Sequence, residues 1–117
     1  LNQKYNYLHL RFEYDFEKVF GKNNIFYLDN ILKKINFKNK YKIYLACSDI
    51  SEVLNNHKNI DNFIFKDEII KDMNLNFEEK AFIDLLIGIS SEEFYGNRKS
   101  SFSLLLSILK KTKNFYN

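Results

Sequence analysis

His9 and Arg11 stand two residues apart near the start of the chain, so on an extended segment their side chains share one face. That pairing suits an anion. The planar guanidinium of Arg11 grips phosphate or carboxylate through two parallel hydrogen bonds, and the imidazole of His9 adds another beside it. The plainer reading is a strand with a half-buried polar face. Near the other end, Gly96-Asn97 and Ser100-Ser101-Phe102 stand directly before an apolar run. If that run is a helix, its first N–H groups lack intrahelical partners and its dipole presents positive charge, so phosphate is favoured there and the serine hydroxyls add donors. An ordinary helix cap accounts for the same serines without a ligand. The chain has sixteen lysines and only two arginines, Arg11 and Arg98, and both lie within these two segments. Lysine does not reproduce the planar bidentate grip, which makes the placement informative.

Other polar groups carry less. Ser48-Asp49 with Ser51-Glu52 reads first as a helix cap with capping-box character, and a ligand contact there is secondary. Asp84 interrupts an apolar stretch and either faces solvent or offers its carboxylate to a base edge. His57, in an Asn-Asn-His-Lys run, reads as a solvated surface histidine. Glu13, Asp15 and Asp49 could form the acidic pocket of a phosphoacceptor domain, yet no strand delivers the late lysine which that chemistry uses. No metal is expected, because His9 and His57 are far apart without ligand spacing and Cys47 is the only cysteine. Gly21, Gly88 and Gly96 are scattered, so neither a dinucleotide-binding nor a Walker A loop is present.

Positioning these groups requires an alternating set of elements. Residues 5–12 alternate large apolar with other side chains and predict a first strand. A polar loop with a short helix over 15–20 follows, and apolar positions at three-to-four spacing predict a helix over 25–36. Residues 41–47 predict a second strand, 50–57 a helix capped by Ser48-Asp49, 62–66 a third strand, and 67–76 a partly helical connection. A helix over 77–85, a strand over 86–90, a loop over 91–99 and a closing helix capped by Ser100-Ser101 complete the chain. The order βαβαβαβα predicts an α/β fold, a Rossmann-like parallel sheet with helices on both faces, whose ligands bind at the carboxyl ends of the strands.

At 117 residues, with 45% hydrophobic and 17% aromatic content, the chain has the size and composition of one packed domain spanning 1–117. No apolar run approaches the roughly 20 residues of a membrane-spanning helix, and no signal-peptide pattern opens the chain. The net charge of +3 is mild and the charges are interspersed, so nucleic acid is not demanded as a partner. Cysteine usage leaves the compartment open, a cytosolic location being the default.

His9-Leu10-Arg11-Phe12-Glu13, followed by Asp15, resembles the HLRFE-type strand of the GDP-fucose O-fucosyltransferase family. Leu45-Ala46-Cys47-Ser48-Asp49 with Ser51-Glu52 resembles that family's ATDSE stretch. Ile83-Asp84-Leu85, Ser90-Ser91, Phe94, Gly96-Asn97 and Ser100-Ser101-Phe102 resemble its closing stretch, with Glu92 or Glu93 where the family has an acid. The resemblance implies the C-terminal, donor-binding half of a GT-B glycosyltransferase, an inverting, metal-independent enzyme that transfers fucose from GDP-fucose to a glycan or protein hydroxyl. It implies that Arg11 holds the β-phosphate and stabilises departing GDP, with His9 beside it. It also implies that Ser100, Ser101 and Phe102 hold the diphosphate, partly through main-chain amides, that Gly96 and Asn97 belong to the donor-binding site, and that Asp84 contacts guanine. Asp15 is a weaker transfer. An N-terminal acceptor domain of the same natural protein would supply the general base, so this chain alone is expected to bind donor but scarcely to turn over. The location would be cytoplasmic in a bacterium and the secretory lumen in a eukaryote. A non-catalytic, flavodoxin-like nucleotide-binding or phosphoregulatory module is the alternative from a different class, and a degenerate transferase kept for protein interaction is a third.

Overall fold

A computed structural model describes residues 3–10, 24–46 and 60–117. The expected helices over 15–20 and 50–57, together with Arg11, Phe12, Glu13, Asp15, Gly21, Cys47, Ser48, Asp49, Ser51, Glu52 and His57, lie outside the described residues.

The sheet is parallel throughout. Strand β1 (Asn6–His9) pairs with β2 (Ile43–Ala46) in the register Tyr7↔Tyr44 and His9↔Ala46. On its other side it pairs with β4 (Phe94–Tyr95) in the register Tyr7↔Phe94. β2 in turn pairs with β3 (Phe63–Phe65), giving the order β3-β2-β1-β4. These strands are almost continuously apolar because each face is covered. On one face Leu8, Leu10, Leu45, Phe63 and Phe65 meet Leu28 and Ile31 of helix α1 (Asn24–Leu32). On the other, Tyr5, Tyr7, Tyr44, Ile64 and Phe94 meet Leu106 of α4 (Ser101–Lys110), with Leu85 and Ile87 of α3 (Phe77–Ile89) packed alongside. A short helix α2 (Lys66–Ile70), within the connection expected to be partly helical, joins β3 to α3. The fold is thus Rossmann-like α/β, as the alternation predicts.

One expected element is corrected. Residues 86–90 are not a strand: 86–89 are the last turn of α3 and Ser90 is its C-cap, while the fourth strand is Phe94–Tyr95 inside the segment read as a loop. A short apolar run such as Leu85 to Ile89 does not distinguish buried helix from buried strand by periodicity. Three contacts decide for helix. At the start, Asn76 Oδ1 accepts from the Glu79 N–H at 2.8 Å while Glu79 Oε1 accepts from the Asn76 N–H at 3.1 Å, a reciprocal capping box. In the middle, a Cβ on Gly88 would lie 2.5 Å from Leu106 Cδ1, so glycine lets α3 and α4 approach closely. At the end, Lys110 Nζ donates to the carbonyls of Ile89 at 3.3 Å and Ser91 at 2.6 Å, placing a cation at the negative end of the helix. Helix α1 also stops at Leu32, short of the expected 36.

The tail was not anticipated. Lys111, at φ 55°, closes α4 in the left-handed region, and the chain then returns beside β4. Gly96 N–H donates to Asn114 O at 3.1 Å and Tyr116 N–H to Gly96 O at 3.0 Å, so Phe115 makes a parallel bridge on the outer edge of β4.

Three tyrosines, two in the sheet and Tyr5 just before β1, anchor α3. Tyr5 and Tyr7 donate to the carbonyls of Ile87 at 2.7 Å and Asp84 at 2.8 Å, and Tyr44 donates to Asp84 Oδ1 at 2.6 Å. Burial, and then the Asp84 carboxylate, hold the Tyr7 and Tyr44 hydroxyls well above the ordinary tyrosine pKa. A raised folded-state pKa stabilises the fold fully below the unfolded value of about 10, and that stabilisation is lost as pH rises beyond it. Urea unfolding at pH 8 and pH 11 should therefore show stability falling steeply over this interval, with a shallower fall in Tyr44→Phe. An equal slope in the variant would refute the assignment.

Candidate functional site

The site begins where the sheet changes direction. From β1 the chain adds β2 and β3 on one side and β4 on the other, so the carboxyl ends of β1 and β4 form the topological switch point, the position where doubly wound sheets take ligands. His9 is the last residue of β1 and Gly96 follows β4 directly. The amino end of α4 lies against both.

Ser103 ties these pieces together. Fully buried in the first turn of α4, its Oγ accepts from the Asn97 N–H at 3.0 Å and pairs with His9 Nδ1 at 2.5 Å. The ring is thereby fixed in place, the hydroxyl donating to a bare Nδ1 or accepting from a protonated one. Phe102 lies beside the same imidazole, ring centroids 4.7 Å apart and tilted by 43°. A Cβ on Gly96 would come within 2.5 Å of Phe94 Cζ and 2.6 Å of Ser103 Oγ, which is why the strand-to-helix turn takes glycine here. Asn97, also buried, braces that turn: its Oδ1 accepts from the Lys99 N–H at 2.8 Å and from Asn117 Nδ2 at 2.9 Å.

Ser100 is the N-cap, its Oγ accepting from the Ser103 N–H at 3.3 Å, and its carbonyl accepts from the Leu104 N–H at 3.0 Å. Among the described residues the amides of Ser101 and Phe102 have no partner, so two donors and the positive end of a ten-residue helix stand at this switch point. Ser101 itself is exposed.

His9, Gly96, Asn97, Ser100, Ser101 and Phe102 are thus gathered at one edge. Asp84 is elsewhere. It does not face solvent: it lies beneath the sheet, 8% exposed, with Oδ1 on Tyr44 and Oδ2 on Lys66 Nζ at 2.8 Å. Arg98 turns to the tail, its Nε donating to the Asn117 main-chain oxygen at 2.8 Å and its guanidinium lying 4.9 Å from the centre of the Phe115 ring. Sequence reading passed over Ser103, although a serine three residues after an N-cap, on the same helix face as Ser100, was a usable signal.

The fold is that of a Rossmann-like α/β domain, with the amino end of a helix at its β1/β4 switch point. Comparison with protein families, with curated proteins and with solved structures finds no match to this chain. Among the described residues no helix is long and apolar enough to cross a membrane, and no group of three or more His, Cys, Asp or Glu side chains could hold a metal ion.

Proposed function

We propose that this domain binds the diphosphate of a nucleotide-sugar donor at the carboxyl ends of β1 and β4, and that the donor is GDP-fucose. The observation that carries the reading is the convergence there of His9, the Gly96-Asn97 turn and the two unpartnered amides at the start of α4. The choice of guanosine and fucose rests on the HLRFE-type and Gly-Asn…Ser-Ser-Phe motifs. The strand order also supports this reading over the flavodoxin-like alternative, because β3-β2-β1-β4 follows the nucleotide-binding order 3-2-1-4 and not 2-1-3-4-5.

In the reaction so proposed, an acceptor hydroxyl on a glycan or protein attacks the anomeric carbon of the sugar. The bond from that carbon to the β-phosphate oxygen breaks, GDP departs with the electron pair, and the hydroxyl proton passes to a base outside this domain. Arg11 neutralises the charge that grows on the leaving diphosphate, while the amides of Ser101 and Phe102 stabilise it with donors already in place. Asp84, whose oxygens serve Tyr44 and Lys66, holds the scaffold in this scheme.

Calorimetric titration with GDP tests the proposal. Binding is expected, and Arg11→Ala should weaken it by about 1.5–3 kcal/mol, the worth of a charge-assisted contact, or on the order of ten- to a hundredfold in Kd. Absence of GDP binding at millimolar concentration would sink the reading.

A further inference from the structure

Helices α3 and α4 cover one face of the sheet and leave their own outer face bare. On α3, Phe82, Leu86 and Ile89 recur at helical spacing and are 59%, 47% and 40% exposed. On α4, Leu105, Ile108 and Leu109 are 45%, 71% and 48% exposed. The two stripes are neighbours. Gly88 packs against Leu106, and Lys110 at the end of α4 reaches the last carbonyls of α3, so the helices run side by side in the same direction. Neither helix needs these side chains for the sheet: the core contacts come from Leu85, Ile87, Phe102 and Leu106.

We infer that this face is the interface of a homodimer, with a second copy of the same chain as its occupant. The area argues for it. At about 200 Å² for a large apolar residue fully exposed, the six side chains leave roughly 600 Å² of apolar surface open to water, the upper end of what a monomer tolerates. Each partner in a standard-size interface contributes about 800 Å², of which around 500 Å² is apolar in homodimers, so the face holds enough for a stable pair. The rim is also self-complementary. Glu78 and Glu79 are exposed at the amino end of α3, and Lys111 is exposed where α4 ends at the opposite edge of the sheet. A two-fold axis across the helices sets the copies antiparallel and brings each acidic end opposite the partner's Lys111, as an isologous contact requires.

The inference is independent of the donor reading and is tested by mass. Sedimentation velocity of the 117-residue chain across a micromolar concentration series should show a reversible species of twice the 14.1 kDa chain mass. Ile108→Asp, at the centre of the stripe on α4, and Leu86→Lys, on α3, should each raise the dimer Kd about tenfold or more while leaving far-UV circular dichroism unchanged. Because the two substitutions sit on different helices, failure of one variant to fold leaves the other as the test. A monomer at every concentration, with the face serving some other segment or partner, would overturn the inference. So would a dimer that the folded variants leave intact.

Discussion

Asp84→Leu is expected to lower the urea midpoint of unfolding by about 1–2 M, corresponding to a loss of about 3 kcal/mol. The cause is local and one-sided. Asp84 accepts from the Tyr44 hydroxyl and from the Lys66 ammonium, whose side chain is only 17% exposed, so removing the carboxylate strands a charge and a hydroxyl in poorly hydrated surroundings. A buried partner left behind costs more than the pair contributed, because its desolvation is no longer offset. Adding Lys66→Met to Asp84→Leu should recover part of the loss, since an apolar pair of similar size removes the stranded charge. If the double variant is no more stable than the single, the pair is not the origin of the effect. GDP affinity of the folded fraction should be unchanged, which separates this scaffold role from a contact to guanine.

Gly96→Ala should damage stability and site together. The added Cβ meets Phe94, 1% exposed and held under the sheet, and Ser103, whose Cβ would lie 2.8 Å away on a packed helix. Neither neighbour is a flexible side-chain end. Overpacking of this kind costs about 1–3 kcal/mol, and the strain relaxes by moving the amino end of α4 away from β4. That movement should separate Ser103 from His9 and from the Asn97 N–H, so the GDP affinity proposed for the domain should fall by on the order of tenfold or more at temperatures where it is still folded. Chemical denaturation and GDP titration on the same sample check both halves. Alanine tolerated at this position with unchanged affinity would refute the close approach on which the site depends.

Much of the site was legible in residue order because its parts are local. Ser100 caps the closing helix through its own Oγ, three residues from the amide it satisfies, and such a cap depends on short-range chemistry alone. The alternation over 5–12 placed His9 toward the carboxyl end of a strand, and β1 ends on it. Asp84 was ambiguous for the opposite reason. Whether a carboxylate in an apolar helix faces water or a partner depends on Tyr44 and Lys66, which lie 40 and 18 residues away in the chain. Ser103 went unnoticed since its partners, His9 and Asn97, converge on it only after the sheet has closed.

The alternation of strands and helices, and with it a parallel sheet covered on both faces, follows from hydrophobic periodicity and caps, which act over a few residues. Strand order, the place of Phe94–Tyr95 within an apparent loop, and the tail laid along Gly96 come from pairings between distant segments, and no local propensity selects among them. The bare stripe on α3 and α4 is of the second kind as well. Leu86 and Ile108 are as apolar as any core residue, and tertiary contacts such as Gly88 against Leu106 and Tyr44 on Asp84 decided which side of each helix turned inward.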